Sequence, residues 1–240
     1  MSALLRIEGV VAGYGRGDIL HGLDLVLEEG AITCLVGPNG AGKSTVLKTL
    51  SGLLRPRDGR ILLDGTDICR RSPAQVLELG IVHVAQERSL FPLMTVWDNL
   101  LMGGHVLGDR ALVRRRAEAV ADRFQLVAER RHERAGALSG GQQKLVEIAR
   151  ALMLEPRLVM LDEPTMGLDP KARHLIFEMV RELNEEGRTL LLVEQNARAG
   201  LAISHQGAVL DDGRVALTGP GPRLLDDPRV GALYLGGAAA

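Results

Sequence analysis

The 240-residue sequence is poor in cysteine and has no long hydrophobic run. Its two cysteines, Cys34 and Cys69, lie far apart without metal-ligand spacing, so we expect two reduced, partly buried thiols rather than a disulfide or a zinc site. No apolar stretch approaches the roughly 20 residues that are needed to cross a bilayer. Residues 1–6 lack the basic-then-apolar layout of a secretory signal. These absences favour a cytoplasmic protein.

The chain also lacks an excess of charge of either sign. Its 29 basic and 30 acidic residues leave a formal net charge of −1. Such a balance provides no field that would attract nucleic acid or an anionic membrane surface. Apolar residues form 46% of the chain and charged residues 25%, which is ordinary for a globular protein. This length suffices for one large domain, or for a core with a small subdomain.

One glycine-rich stretch fits the P-loop pattern of nucleotide-binding proteins, in which a glycine and four further residues precede Gly-Lys-Ser. It consists of Gly37, Pro38, Asn39, Gly40, Ala41, Gly42, Lys43, Ser44 and Thr45. An apolar run at 31–36 predicts a buried strand before it, and a helical pattern at 46–50 follows it. A glycine-rich turn before an ordinary helix is the simpler alternative, but the strand–loop–helix context favours a working P-loop.

The residue types of this stretch suit a nucleotide with Mg²⁺. Glycines let backbone N–H groups face the phosphates, where no Cβ intrudes. Lys43 would reach the β- and γ-phosphates, and the Ser44 hydroxyl would bind Mg²⁺.

The residues before the P-loop predict a β-rich lobe. Short apolar runs at 4–7, 23–27 and 31–36 are separated by glycines at 9, 13, 15, 17, 22 and 30, which indicates strands with tight turns between them. Tyr14 lies in the first of these turns. It either stacks on the adenine of a nucleotide or packs on the surface, and its position alone does not distinguish the two.

The middle of the chain changes from strands to helices. Strands are predicted at 60–63 and 81–84, the second leading to Gln86. Residues 110–126 then carry apolar residues at helical spacing, including Phe124, with the charged run 114–116 on the solvated face. No strand pattern interrupts residues 98–130, so the pattern predicts a helical insertion in an α/β protein.

The segment that opens the next helix is Leu138-Ser139-Gly140-Gly141-Gln142. Ser139 and Gln142 form a capping-box pattern, and the cap alone would contribute about 1 kcal/mol. A cap does not explain two consecutive glycines, which weaken a helix start unless something must approach the backbone. An anion that docks on this helix N-terminus would use them.

Two carboxylates follow the apolar strand at 158–161. Ligands bind at the carboxyl ends of parallel strands, so Asp162 is placed to support Mg²⁺ and Glu163 to polarise a water for attack on the γ-phosphate. The simpler alternative is a solvated turn. Asp169 is the predicted N-cap of a following helix that ends near Gly187.

The remaining elements are a buried strand at 189–193, which leads to Gln195, and a hairpin of strands 206–210 and 214–217 around Asp211-Asp212-Gly213. The tail after Gly219 is rich in proline and glycine, and no further element is predicted there.

The P-loop, the Leu138–Gln142 segment and the Asp-Glu strand, in this order, make the chain resemble the ATP-binding subunit of an ABC transporter. The resemblance covers essentially all 240 residues. It implies a P-loop NTPase (RecA-like) α/β core with an N-terminal antiparallel β lobe and an inserted α-helical subdomain. Residues 1–85 and 156–240 would form the nucleotide-binding core, and residues 86–155 the helical subdomain with the signature motif.

The resemblance also implies roles for single residues. Tyr14 becomes the adenine-stacking aromatic. Gln86 becomes the Q-loop glutamine, a ligand of Mg²⁺ that links the Mg²⁺ and water site to the helical subdomain and the membrane partner. Asp169 belongs to the D-loop and would face a dimer interface. In this family two subunits pair head to tail, so that ATP bridges the P-loop of one and residues 139–142 of the other. The membrane subunits would convert the opening and closing of this dimer into alternating access.

One position departs from the general family pattern. The switch histidine that follows the strand at 189–193 in most relatives is replaced here by Gln195, and His205 lies too far downstream to take its place. Glutamine hydrogen-bonds a phosphate oxygen but accepts no proton at pH 7. Gln195 would therefore position the phosphate, and Glu163 is left as the general base.

The segment Val193–Ala197, with Tyr234-Leu235-Gly236-Gly237, is similar to the LivF-type ATPase of branched-chain amino acid importers. Relatives of this kind also serve urea, short amides or other amino acids, and many have Ala where this chain has Asp169. The resemblance implies two transmembrane permeases, a second ABC ATPase, indirectly a solute-binding protein, and a peripheral place on the cytoplasmic face of the inner membrane.

Two readings from other classes remain. A soluble ABC ATPase acting on DNA or ribosomes usually carries a coiled-coil insertion or a second nucleotide domain with a basic linker; neither is evident here, and we expect no nucleic-acid partner. A regulatory module that holds ATP without using it would not need Lys43, Asp162 and Glu163 together.

Overall fold

The computed structural model of the chain describes residues 2–234. Ten strands are formed, namely β1 (Ala3–Ala12), β2 (Leu20–Glu28), β3 (Ile32–Val36), β4 (Asp58–Leu63), β5 (Thr66–Asp67), β6 (Ile81–Val84), β7 (Leu158–Asp162), β8 (Thr189–Glu194), β9 (Gln206–Asp211) and β10 (Arg214–Pro220). The α-helices are α1 (Lys43–Leu50), α2 (Pro73–Glu78), α3 (Val96–Met102), α4 (Arg110–Arg123), α5 (Gln125–Glu129), α6 (Gly140–Leu152), α7 (Pro170–Glu185), α8 (Ala197–Ile203), α9 (Gly221–Leu225) and α10 (Pro228–Tyr234).

The strands form two sheets. One is a four-stranded antiparallel sheet in the order β2-β1-β4-β5. It forms the predicted antiparallel β lobe, but its strands β4 and β5 come from after the P-loop. The other has six strands in the order β10-β9-β3-β8-β7-β6, and all its neighbours are parallel except the β9–β10 pair. The predicted α/β class with a parallel core sheet is therefore confirmed.

The parallel sheet is buried on both faces, and its strands alternate between two hydrophobic clusters. In β8, Leu190 and Leu192 face the cluster that contains residues of α6 and α7, whereas Leu191 and Val193 face the cluster that contains α1 and the β lobe. Side chains of a strand point to opposite faces in turn, so a central strand needs apolar residues at every position. This explains the unbroken apolar runs that lead to the P-loop and to Asp162.

Local signals in the sequence set several element ends as predicted. Ser139 accepts a hydrogen bond from the Gln142 N–H and its own N–H donates to the Gln142 side chain, which completes the capping box of α6. Asp169 caps α7 through the Ala172 N–H at 2.9 Å. Asp212 and Gly213 both adopt positive φ, as a tight hairpin turn of the primed type requires.

Two predicted features are wrong, and two helices were not predicted at all. The helix expected over 110–126 ends at Phe124, whose extended backbone (φ −104°, ψ 93°) separates α4 from α5 and lets both Phe124 and Val127 reach the core. Gly9 and Gly22 lie inside β1 and β2 rather than in turns; Gly9, with φ 57°, sits where the pairing register of β1 shifts, as in a β-bulge. Helices α9 and α10 occupy the tail in which no element was predicted.

All helices between β6 and β7 belong to the stretch for which a helical insertion was predicted, and its assignment as a separate subdomain at 86–155 stays a prediction. Both cysteines are free thiols; Cys34 is buried in the core, and burial raises its pKa well above the usual range. Among residues 2–234, no helix is long and apolar enough to span a membrane. The segment 235–237 of the subfamily resemblance lies outside the described residues.

Candidate functional site

The predicted site residues follow the carboxyl ends of four adjacent parallel strands. The P-loop follows β3, Gln195 follows β8, Glu163 follows β7 and Gln86 follows β6. The pairing register places Val36 beside Glu194, and Asp162 beside Val193, so these ends lie level with one another. Ligands of open α/β sheets bind at this edge. The topology therefore brings together side chains that are far apart in sequence.

The P-loop lies between the end of β3 and the start of α1. Gly40 and Gly42 adopt positive φ, and a Cβ at Gly37 would lie 2.3 Å from the Leu210 carbonyl oxygen, so these positions depend on glycine. Lys43, only 6% exposed, donates from Nζ to the carbonyl oxygens of Gly37 at 2.8 Å and Pro38 at 3.1 Å.

The ammonium group of Lys43 is the main positive charge of the site. Its Nζ lies 4.0 Å from Oε1 of Glu163. Burial lowers the pKa of Lys43, while the carboxylates of Glu163 and Asp162 act in the opposite direction. A bound phosphate would contact the Lys43 ammonium, whose partners in this structure are two carbonyl oxygens and a carboxylate. The negative charge of the phosphate would favour the protonated form of Lys43.

Asp162 is buried at the end of β7 beside the Ser44 hydroxyl. Burial raises the pKa of Asp162, and a hydrogen bond from Ser44 lowers it. Its Oδ1 atom is buried without a hydrogen-bond partner, which is costly for a carboxylate oxygen. A divalent cation would satisfy this oxygen, and Mg²⁺ is commonly held by one or two protein ligands together with substrate phosphates. In the described residues no cluster of three His, Cys, Asp or Glu could form an all-protein metal cage.

Glu163 faces the same space as the P-loop. Its backbone adopts φ 44°, its N–H donates to the Val193 carbonyl oxygen, and its side chain is 11% exposed. The Gln86 side-chain amide donates to Oε2 of Glu163 at 3.1 Å and contacts Sδ of Met166 at 2.9 Å. Gln86 and Glu163, each predicted separately as a site residue, are thus in direct contact, although the two are 77 positions apart.

A cavity of about 470 Å³ lies between the P-loop, Gln86 and Glu163. Its lining includes Gln195, whose side chain is exposed, together with Ile19, Asn39, Gly40, Gly42, Lys43, Ser44, Thr45, Gln86, Glu163 and Met166. His205 lies elsewhere: its Nδ1 accepts the N–H of Ile32, at the opposite end of β3 from the P-loop. The geometry agrees with the sequence-based exclusion of His205 from the site.

One buried acid beside this cavity was not among the site residues predicted from the sequence. Glu194, the last residue of β8, accepts a hydrogen bond from the Thr165 hydroxyl at 2.8 Å. Burial, together with the nearby charge of Glu163, raises the pKa of Glu194 to about 7 against the opposing effect of that hydrogen bond. A charged residue directly after four apolar strand residues was the available signal. Glu194 therefore connects the loop after β8 with the turn that contains Glu163.

Tyr14 lies near the P-loop helix but does not line the cavity. It is half exposed in the turn between β1 and β2, and Nζ of Lys48, on α1, lies 5.6 Å from the centre of its ring. An exposed aromatic face beside the P-loop helix is available to a purine, and the stacking role of Tyr14 stays a prediction.

The signature residues 139–142 and Asp169 do not line the P-loop cavity within the described chain. The two glycines also differ. A Cβ at Gly141 would lie 2.6 Å from Cβ of Ala172, so close packing of α6 on α7 explains this glycine without any ligand. A Cβ at Gly140 would meet nothing closer than 3.6 Å. The prediction that a group from outside the chain approaches the backbone therefore still applies to Gly140 only.

Comparisons with known proteins agree with this geometry. Residues 20–166 match the model of the family described as ABC transporter. The high-affinity branched-chain amino acid transport ATP-binding protein BraG of Pseudomonas aeruginosa is 38% identical over 234 residues, which cover 98% of this chain and 100% of BraG. The lipopolysaccharide export system ATP-binding protein LptB of Acidithiobacillus ferridurans is 35% identical, with 98% of each chain covered.

A solved structure of similar fold is a dimeric ATP-binding cassette in a post-hydrolysis state, bound to ADP and Pi. It has a TM-score of 0.78 and 27% sequence identity, and the match covers 90% of this chain and 98% of that one.

Proposed function

The chain belongs to the ABC transporter family and is an ATP-binding, ATP-hydrolysing subunit of a transporter; from this premise we propose that it energises the import of branched-chain or related amino acids. The observation that carries the enzymatic part is the convergence of Lys43, Gln86 and Glu163 on one cavity. The full-length similarity to BraG supports the choice of solute.

Three groups would bind the triphosphate. The N–H groups of the P-loop face the phosphate oxygens, and Lys43 exchanges its carbonyl partners for the β- and γ-phosphates. Ser44 and Asp162 would hold Mg²⁺, which neutralises phosphate charge when it is bound. The unpartnered Oδ1 of Asp162 supports this assignment.

Glu163 is the general base of the proposed reaction. A water between its carboxylate and the γ-phosphate would attack phosphorus, its proton would pass to Glu163, and the β–γ bridging oxygen would leave with ADP. Gln86 orients the carboxylate through the 3.1 Å hydrogen bond. Gln195 donates a hydrogen bond to a phosphate oxygen, since an amide cannot serve as the base at pH 7.

A second ABC ATPase would complete the site. In the proposed head-to-tail dimer the open backbone at Gly140 and the cap residue Ser139 face the γ-phosphate held by the partner. ATP then stabilises the closed dimer, and hydrolysis of the ATP lets the dimer open. The γ-phosphate thus makes contacts in the closed state that are absent from the open state, which is what a switch requires. Two membrane permeases would convert this motion into transport from the cytoplasmic face, and a solute-binding protein would select the solute.

A second candidate is the same ATPase role in an exporter. The 35% identity to LptB over 98% of both chains favours it, because BraG is only slightly more similar. Uptake of urea or short amides is a third assignment, on the ground of the Val193–Ala197 segment.

Labelled solute uptake in cells that carry the wild-type chain or Lys43→Ala tests the proposal. We expect uptake of leucine, isoleucine and valine to fall in the variant, with uptake of an unrelated sugar as control. Loss of urea or amide uptake instead would reassign the solute. Unchanged uptake of all these solutes, together with accumulation of a lipid on the cytoplasmic side, would favour export.

A further inference from the structure

Three charged side chains at three-residue intervals along α6 contact the segment that follows β6. They are Lys144, Glu147 and Arg150, and we call residues 85–89 the Gln86 segment. Lys144 donates from Nζ to the carbonyl oxygens of Ala85 at 3.0 Å and Gln86 at 3.4 Å. Arg150 donates to the Ser89 carbonyl oxygen at 2.9 Å and also to its hydroxyl.

Glu147 is the centre of this cluster. Its Oε1 accepts the Ser89 N–H at 2.5 Å and the Ser89 hydroxyl at 3.2 Å, and its Oε2 lies 2.6 Å from Nζ of Lys144. The side chains of Lys144 and Glu147 are only 9% and 1% exposed. Burying two charges costs several kcal/mol per ion unless hydrogen bonds and the partner charge compensate for it. Apolar residues at these positions would pack without that cost, but they could not hold the backbone of the Gln86 segment.

The Gln86 segment is thereby held from two sides. Lys144 binds the carbonyl of Gln86, whereas the Gln86 side chain reaches the other way, to Glu163. Lys144 stands little more than one helical turn after Ser139, at the end of α6 that the proposed dimer places against the partner's nucleotide. Through Lys144, helix α6 thus connects its N-terminal end with Gln86, the glutamine that contacts the proposed general base.

We propose that Lys144 and Glu147 are positioning residues for ATP hydrolysis, which hold the Gln86 segment so that Gln86 meets Glu163. This inference rests on the proposed roles of Gln86 and Glu163. If the cluster acts through Gln86, its effect on turnover disappears when Gln86 cannot contact Glu163. If the cluster only fastens α6 to the sheet, its effect is independent of Gln86.

A double-mutant cycle distinguishes the two, because only interacting residues give non-additive energies. Glu147→Gln, Gln86→Ala and the double variant are purified as complexes with their membrane partners, and kcat, KM for ATP and the melting temperature are measured. We expect Glu147→Gln to lower kcat about tenfold with KM changed by less than about twofold. In the Gln86→Ala background the same substitution should change kcat by less than about twofold.

Three further variants keep the test independent of folding losses. Lys144→Arg preserves the charge and the donors and should keep a near wild-type kcat, whereas Lys144→Met should behave like Glu147→Gln. Arg116→Met is the matched control, because Arg116 also binds a carbonyl of the helical region, that of Met153, but does not touch the Gln86 segment. It should leave kcat unchanged in both backgrounds.

If the factors by which Glu147→Gln and Gln86→Ala lower kcat multiply in the double variant, the inference is overturned and the proposed ATPase mechanism stands. An equal fall in kcat for Lys144→Arg and Lys144→Met, or for Arg116→Met and Glu147→Gln, would also overturn it. Unchanged kcat in Gln86→Ala would remove the proposed role of Gln86, and the inference with it. A wild-type complex no more active than Lys43→Ala would refute the proposed function itself.

Discussion

Replacing Glu163 by glutamine should separate nucleotide binding from turnover. The substitution keeps the volume of the side chain and one oxygen that can accept the Gln86 hydrogen bond. Lys43 keeps its contacts to the carbonyl oxygens of Gly37 and Pro38, and only the 4.0 Å charge contact with Glu163 is lost. The cavity that receives the phosphates is therefore expected to persist.

The magnitude follows from the loss of the base. General base catalysis contributes about 10²–10⁴-fold, which corresponds to about 2.7–5.4 kcal/mol of transition-state stabilisation. We expect the steady-state rate of Glu163→Gln to fall by that factor. ATP affinity should not weaken, because removing a carboxylate near the γ-phosphate lowers repulsion between like charges.

The assay is phosphate release by the complex at saturating ATP, with equilibrium binding of ATP measured on the same preparation. Lys43→Ala is the control that should lose binding as well as turnover. Unchanged hydrolysis in Glu163→Gln would remove Glu163 from the mechanism. Loss of binding together with turnover would show that Glu163 supports the shape of the site rather than the chemistry.

Three further predictions concern residues around this site. The pKa of Glu194 is raised to about 7 in the folded chain, so the stability that protonated Glu194 contributes is complete below the unfolded pKa of about 4.5 and is lost as pH rises through 7. In urea unfolding, the wild-type chain should therefore lose about 3 kcal/mol of stability between pH 4.5 and 8 relative to Glu194→Gln. An equal pH dependence of the two proteins would contradict this prediction. Gly141→Ala should cost about 1–3 kcal/mol of stability because of the 2.6 Å approach to Ala172. Gly140→Ala should cost no stability but should lower ATP turnover. A lower melting temperature for Gly140→Ala than for Gly141→Ala would refute the packing argument. Asp162→Asn should raise the Mg²⁺ concentration for half-maximal hydrolysis, and an unchanged Mg²⁺ titration would separate Asp162 from the metal.

The features that the sequence predicted correctly are those encoded within a few neighbouring residues. The capping box of Ser139 and Gln142, the Asp169 cap and the Asp212-Gly213 turn each depend on contacts across at most three positions. The unbroken apolar runs of the central strands were equally informative, because both faces of the parallel sheet are covered.

The features that the sequence did not reveal depend on packing between distant elements. Gly141 is explained by Ala172 on another helix, and the buried role of Glu194 by Thr165, 29 positions away. The break at Phe124 has no local signal either, because the spacing of apolar residues fits an uninterrupted helix. Tertiary packing decided each of these against a reasonable local pattern.

The central claim, that this ATPase drives a membrane transporter, is tested most directly by gentle purification of the chain from its native membranes. Mass spectrometry then identifies the proteins that accompany it. We predict two polytopic permeases, a second ABC ATPase in equal amount and a solute-binding protein. Recovery with ribosomal or DNA-repair proteins, and no permease, would contradict the claim and leave only the ATPase chemistry.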